Sequence, residues 1–310
     1  MTRNVRLLAM CVCLVMSTLV AVADPAAPGR PTERISPPPQ CNPNAVVWRT
    51  PQPPTNPQAG DVWVDPKDGM EMVYIPTGEF LQGLSDAQAR AWTKELRDTD
   101  AWDAPKAAQP QRRVFLDAYW IGRYEVTVGQ YRRFREATGR KMPKGPEWGW
   151  RDADPIVGLW ADADAYTRWA GKRLPTEAEW EKAARGGDGR TYPWGFHWDP
   201  GRCVNSSQSP RDRPTPVGEC AADRSPYGCQ DMAGNVQEWC ADWFRGDYYK
   251  RARVRNPKGP AQSGGQGPTL YFHVERGGSY AQGHPLPFSC AFRGGSDGHS
   301  GFRCAREARP

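Results

Sequence analysis

From Tyr192 to the carboxy terminus no stretch of the chain places apolar residues at helical spacing, and Gly, Pro, Ser, Asn and Asp divide it into short runs. Such a segment is expected to fold as turns and short strands. Its apolar surface must then be buried by long-range contact rather than along helices of its own. The same punctuation runs through all 310 residues: 32 Gly and 31 Pro make about a fifth of the sequence, well above ordinary usage. Fourteen Trp residues accompany them. A disordered chain is poor in large apolar side chains because it cannot offset the entropy of ordering. Here they are plentiful, and irregular backbone packed around aromatic anchors is the expectation.

The amino-terminal part reads differently. Arg3 and Arg6, the apolar run Leu7 to Val20 and the small-x-small end Ala21-Val22-Ala23 have the form of a secretory signal cleaved before Asp24. An uncleaved anchor is the alternative, although the apolar run is shorter than the ~20 residues a bilayer span needs. Removing the segment takes two arginines from the formal charge of +6 and leaves +4, too mild to argue for nucleic acid. Eleven prolines between Asp24 and Gln58 predict an extended, disordered spacer over 24–60, with the folded domain over 61–308.

Within that domain, strand patterns fall on Met70–Ile75 and Val114–Ile121, with a short helical stretch, Ser85–Leu96, between them. Thr127 is placed to cap a helix that stops at Gly139, and a second helix is expected over Asp162–Ala170. Thr176-Glu177-Ala178-Glu179 is a capping box, opening a helix that ends at Gly186-Gly187.

Seven cysteines follow the signal: Cys41, Cys203, Cys220, Cys229, Cys240, Cys290 and Cys304. In an oxidising compartment most are expected as disulfides. The last six allow fifteen connectivities, and Cys41 is the odd thiol. Zinc is the weaker reading, since no His follows at ligand spacing. His273, His284 and His299 would make a metal site only if folding converged them, and scattered surface histidines are the expectation. Lys250–Arg255 reads as a solvated basic loop, with an acidic partner as the alternative. Trp194, Trp239 and Trp243 read as packing residues, though aromatic side chains also line sugar- and peptide-binding grooves.

The run from Trp160 to Gly186, with Gly171-Lys172-Arg173-Leu174-Pro175-Thr176-Glu177-Ala178-Glu179-Trp180 at its centre, resembles the signature of the formylglycine-generating-enzyme (sulfatase-modifying-factor) family. Gly69–Pro76, Tyr192-Pro193-Trp194-Gly195, Asp231–Trp239, Arg276–Tyr280 and Gly301-Phe302-Arg303-Cys304 agree with it in the right order. The resemblance implies an α+β, C-type-lectin-like fold with little regular structure, and Arg293, Arg303 and Arg306 bracing its core.

The family's aerobic enzymes bind copper(I) through two thiolates shortly after the Arg-Gly-Gly-Ser motif, the soft donors that ion requires. By this resemblance Gln282 occupies the first thiolate position, and the second falls near Leu286 or Pro287, so copper is not expected. Cys290 and Cys304 match the family's structural cysteines, whose usual partners are replaced by Thr167 and Ala184. Ser279, Tyr280, Gln282, His284 and Arg293 form the candidate pocket. The resemblance also implies calcium, with Asp231 and Glu238 giving carboxylate oxygens and Gly234 and Val236 backbone carbonyls. The alternative is that Asp231 caps a turn while Glu238 pairs with an Arg. A second family ion site near Asn205 lacks a clear acidic ligand. Relatives that use iron hold it by His from an additional amino-terminal helical domain, and the region before Gly60 carries no His.

Two functions follow as expectations. One is an exported, periplasmic or extracellular module binding a protein, peptide or glycan without redox chemistry. The alternative is an oxidoreductase acting on a peptide cysteine or a small thiol or amine through another metal arrangement.

Overall fold

The computed structural model describes residues 42, 44–96, 104–207, 213–262, 272–294 and 300–308. The signal-like segment 1–23, the first part of the spacer, Cys41 and His299 lie outside the described residues. Among the described residues no helix is long and apolar enough to cross a membrane.

The main sheet has the order β1-β2-β3-β6-β9, built from Val47–Trp48, Val62–Val64, Glu71–Ile75, Tyr119–Gly122 and Ala305–Glu307. β2, β3, β6 and β9 pair antiparallel in turn, while β1 joins β2 in parallel. A two-stranded ribbon pairs β4 (Gly78–Gln82) with β5 (Arg112–Leu116), and a second pairs β7 (Glu238–Trp243) with β8 (His273–Arg276). Helices α1 (Asp86–Leu96), α2 (Ala104–Ala107), α3 (Val128–Thr138), α4 (Trp160–Trp169) and α5 (Glu177–Arg185) complete the order. The fold is the mixed α/β arrangement with small sheets and few helices that the resemblance implies.

Local chemistry explains the elements. Thr127 and Thr176 each close a capping box with the residue three positions on, Gln130 and Glu179. Gly139 ends α3 at φ 73°, a left-handed exit that glycine adopts without steric cost. The single strand expected over Val114–Ile121 is two, because Asp117-Ala118 break it and each half pairs with a different neighbour. α4 begins at Trp160, two residues earlier than expected, with Asp162 accepting from the backbone of Leu159.

Residues 44–60, read above as the end of a spacer, are held against the sheet. Asp61, nearly fully buried, accepts hydrogen bonds from Val46 N, Gln58 N and Trp48 Nε1. One carboxylate thus ties three points of the Pro-rich arm.

Helix α5 is buried along its whole length, charged residues included. Its Glu177 and Glu181 face Arg276 at 2.7 and 2.8 Å, Arg293 grips Glu177 through Nε and an NH2 group, and Arg185 reaches Glu181 at 3.0 Å. Tyr249 donates to both carboxylates. A buried network of this kind costs desolvation and is worth keeping only when its groups are paired. It pins β8 and the segment leading to Arg293 onto α5, which fixes the turn that follows β8.

Candidate functional site

That turn, Arg276–Tyr280, opens the segment expected above to form the candidate pocket. Gly277 sits at φ 77°, and a Cβ on Gly278 would lie 2.6 Å from the Phe288 ring, so both glycines are required by the backbone path. Gly278 N donates to Ala233 O and Tyr280 N to Asn235 O, which lays the turn beside the Asp231–Glu238 loop. Ser279 and Tyr280 are half-exposed, and the Trp148 ring meets Tyr280 edge-on at 5.5 Å.

Gln282 points back into the turn: its Oε1 accepts from Ser279 N at 3.0 Å, while its own N donates to Ser279 O. The side chain closes a loop and offers no soft donor. Leu286, near which the second thiolate position is expected, is buried at 2% exposure in a short 3-10 turn. His284 lies at the rim, accepting from Leu286 N through Nδ1, with Nε2 3.6 Å from Glu95 and its ring beside Trp92. Beneath them Tyr192, Trp194, Trp198 and Phe288 pack ring on ring, and Phe196 stands 56% exposed. Arg293 is a correction to the expected pocket: it is buried against Glu177 and serves the core.

None of the six described cysteines, Cys203, Cys220, Cys229, Cys240, Cys290 and Cys304, is bonded to another in this structure. They are dispersed through the packing. Cys229, Cys240 and Cys290 share one apolar cluster, Cys304 lies in a second and Cys203 in a third. Burial pushes the Cys290 thiol up to about 12 and Cys229 to about 11. Neither is a thiolate at neutral pH, and neither is in the turn.

The Asp231–Glu238 loop carries two buried acids at its ends. Both Glu238 oxygens are gripped by Arg303, at 2.6 Å each, and one also accepts from Trp180 Nε1. Asp231, at φ 56°, accepts from Gly218 N at 2.5 Å. These are the turn cap and the arginine pair given above as the alternative for these two residues. Two further buried acids surround them. Asp223 accepts from Ala233 N and Gly234 N, and Glu125 accepts from Asn235 Nδ2 while its Oε2 finds no donor. Burial raises the pKa of Asp223 to about 8 and of Asp231 to about 6, and holds Glu125 well above the carboxylate range. The carbonyls of Gly234 and Val236 accept no hydrogen bond from the described residues. As placed, no three His, Cys, Asp or Glu side chains among the described residues converge on a metal position.

The expectation of surface histidines fails for His273, which is buried between the indoles of Trp160 and Trp243, 3.8 Å from each ring centre. Its Nδ1 contacts Ala241 O, and stacking rather than coordination holds it.

The fold has counterparts among known proteins. Residues 58–308 match the sulfatase-modifying factor enzyme 1-like domain. The chain belongs to the formylglycine-generating-enzyme family. The formylglycine-generating enzyme of Streptomyces coelicolor is 40% identical over 179 residues, 51% of this chain and 54% of that protein. The serine/threonine-protein kinase pkn1 of Chlamydia caviae is 33% identical over 264 residues, 76% of this chain but only 38% of the kinase. The chain therefore spans about half or less of these two relatives. Among solved structures, PvdO from Pseudomonas aeruginosa superposes with a TM-score of 0.64 at 25% identity, over 81% of this chain and 100% of that one.

The formylglycine-generating-enzyme family was legible in the sequence. Sequence reasoning missed Glu125, which is remote from the Asp231 loop in sequence, and Asp223, which lies shortly before it; both look like ordinary surface acids until folding buries them.

Proposed function

We propose that this family member is an exported module that binds a protein, peptide or glycan without copper chemistry. One observation carries the reading: the first thiolate position holds Gln282, whose side chain is spent on the Ser279 amide. The half-exposed Ser279 and Tyr280, with Trp148, Trp92 and His284 around them, give a rim of aromatic and hydrogen-bonding groups suited to recognition. Export rests on the signal-like Met1–Ala23. The test is to load the mature protein with copper(I) and follow oxygen consumption with a cysteine-containing peptide. No copper-dependent turnover is expected; turnover would overturn the binding reading and restore the oxidoreductase alternative.

We further propose that the acidic loop takes calcium. Buried carboxylates outnumber the guanidinium that serves them, and a hard cation answers excess oxygen charge. Asp231 and the carbonyls of Gly234 and Val236 would hold it, with Glu238 contributing only what Arg303 leaves free. When bound, the ion would tie the loop that supports the Ser279 turn. Calcium should raise the melting temperature of the wild-type protein and chelation should reverse the rise. Asp231→Ala should abolish that increment; equal loss of stability with and without calcium would reject the site.

A further inference from the structure

A cleft of about 730 Å³ opens where α4, the start of α5, the β5–β6 corner and Asn256–Lys258 meet. Its size lies within the range of small-ligand sites, about 300–1,000 Å³. It shares no residue with the Ser279–His284 turn, so it lies beyond the function proposed above.

Trp160 supplies an indole face to the wall. His273 covers one face of its indole, with the ring planes 5° apart, and its Nε1 donates to Cys240 O at 2.9 Å. With the N–H spent, only carbon surface remains for a ligand. His273 is backed in turn by Trp243, so Trp160 is held as a rigid plate.

The rest of the wall is mixed: Leu116, Leu174, Pro257 and Ala308 are apolar, Lys258 adds a cation, and three of the acids are already paired. Glu179 is clasped in two parallel bonds by Arg173, both 2.7 Å. Asp117 pairs with Arg255 at 2.7 Å, and Asp164 with Arg168 at 2.9 Å. A charged ligand would have to compete with these pairs. A neutral hydroxyl need not, because a paired carboxylate keeps lone pairs to accept with and a paired guanidinium keeps N–H groups to donate. Asn256 is held at φ 42°, unfavourable for a side-chain-bearing residue, by reciprocal bonds with Asp117, Nδ2 donating to Asp117 Oδ2 and Oδ1 accepting from Asp117 N. Such strain persists where the surroundings impose it and is concentrated at binding positions.

A donor-free aromatic plate facing planar, pre-paired carboxylate, amide and guanidinium groups matches one ligand chemistry best: a ring with one apolar C–H face and hydroxyls around its edge. We infer that this cleft is a binding site for a neutral saccharide, with Trp160 stacking against a sugar face and Asp117, Asn256 and Arg173 reading its hydroxyls.

The test uses the mature protein and intrinsic tryptophan fluorescence, confirmed by calorimetry, with three sets of probes: neutral trisaccharides of glucose, mannose and N-acetylglucosamine, the corresponding uronic-acid trimers, and a lysine-rich pentapeptide. At least one neutral trisaccharide should bind saturably, and Trp160→Ala should weaken it by tenfold or more. Because Trp160 also stacks on His273, Asn256→Gly serves as the second variant. Glycine suits the positive φ and keeps the fold while removing the amide, and it should weaken binding by a similar factor. Tyr280→Ala, at the other site, should leave saccharide binding unchanged. No neutral saccharide binding by folded protein, a preference for the pentapeptide or the uronic acids, or binding that Tyr280→Ala removes and Asn256→Gly spares would each overturn the inference. None of these outcomes bears on the copper measurement, so the two readings fail separately.

Discussion

At the scale of single residues, burial decides which charged groups serve the core and which remain for chemistry. Arg303 donates to both oxygens of Glu238 and to the carbonyls of Gly122 and Gln230, with no exposure to solvent. Removing one member of such a pair leaves a buried charge without compensation, at a cost of about 3–5 kcal/mol. Glu238→Ala should therefore cost stability on that scale in denaturant melts, and a change below about 1 kcal/mol would show the pair to be replaceable. Gln282 could be read from the sequence as the wrong donor for a soft metal; that it closes onto Ser279 N could not. Arg293 reads from the sequence both as a core brace and as a pocket residue, and its partner Glu177 draws it inward to the first role.

At the scale of elements, legibility followed the range of the contacts. Thr127, Gly139 and Thr176 are local signals, and each structured its helix terminus as expected. Thr176→Ala removes the oxygen that accepts from Glu179 N and should cost about 1 kcal/mol. A domain of this size should lose about 2–4 °C of melting temperature, and no shift would mean that burial of α5 alone fixes its first turn. β7 and β8 left no comparable trace. Glu238–Trp243 is largely buried and shows no clean alternation, and its partner His273–Arg276 lies across a long connection. The Trp160–His273–Trp243 stack depends on that same pairing, so His273 could not be distinguished from a surface histidine beforehand.

At the scale of the whole molecule, the interior retains protons that an unfolded chain would release. Burial, followed by the charge of Glu177, pushes Asp242 up to about 8 from an ordinary value of 3.8. Its stabilising contribution is full below about pH 4 and is lost as the pH rises through 8, because the unfolded chain gives up the proton first. Melting temperature should fall across that interval, and Asp242→Asn, which keeps an acceptor for Glu177 N, should flatten the fall. An unchanged slope would place the titration elsewhere. The outermost strands of the five-stranded sheet, Val47–Trp48 and Ala305–Glu307, are only two and three residues long. Chains that stick together through their sheets need a longer free margin to template a neighbour. Among the described residues this five-stranded sheet presents almost none, which closes its two margins to the addition of a strand from another copy.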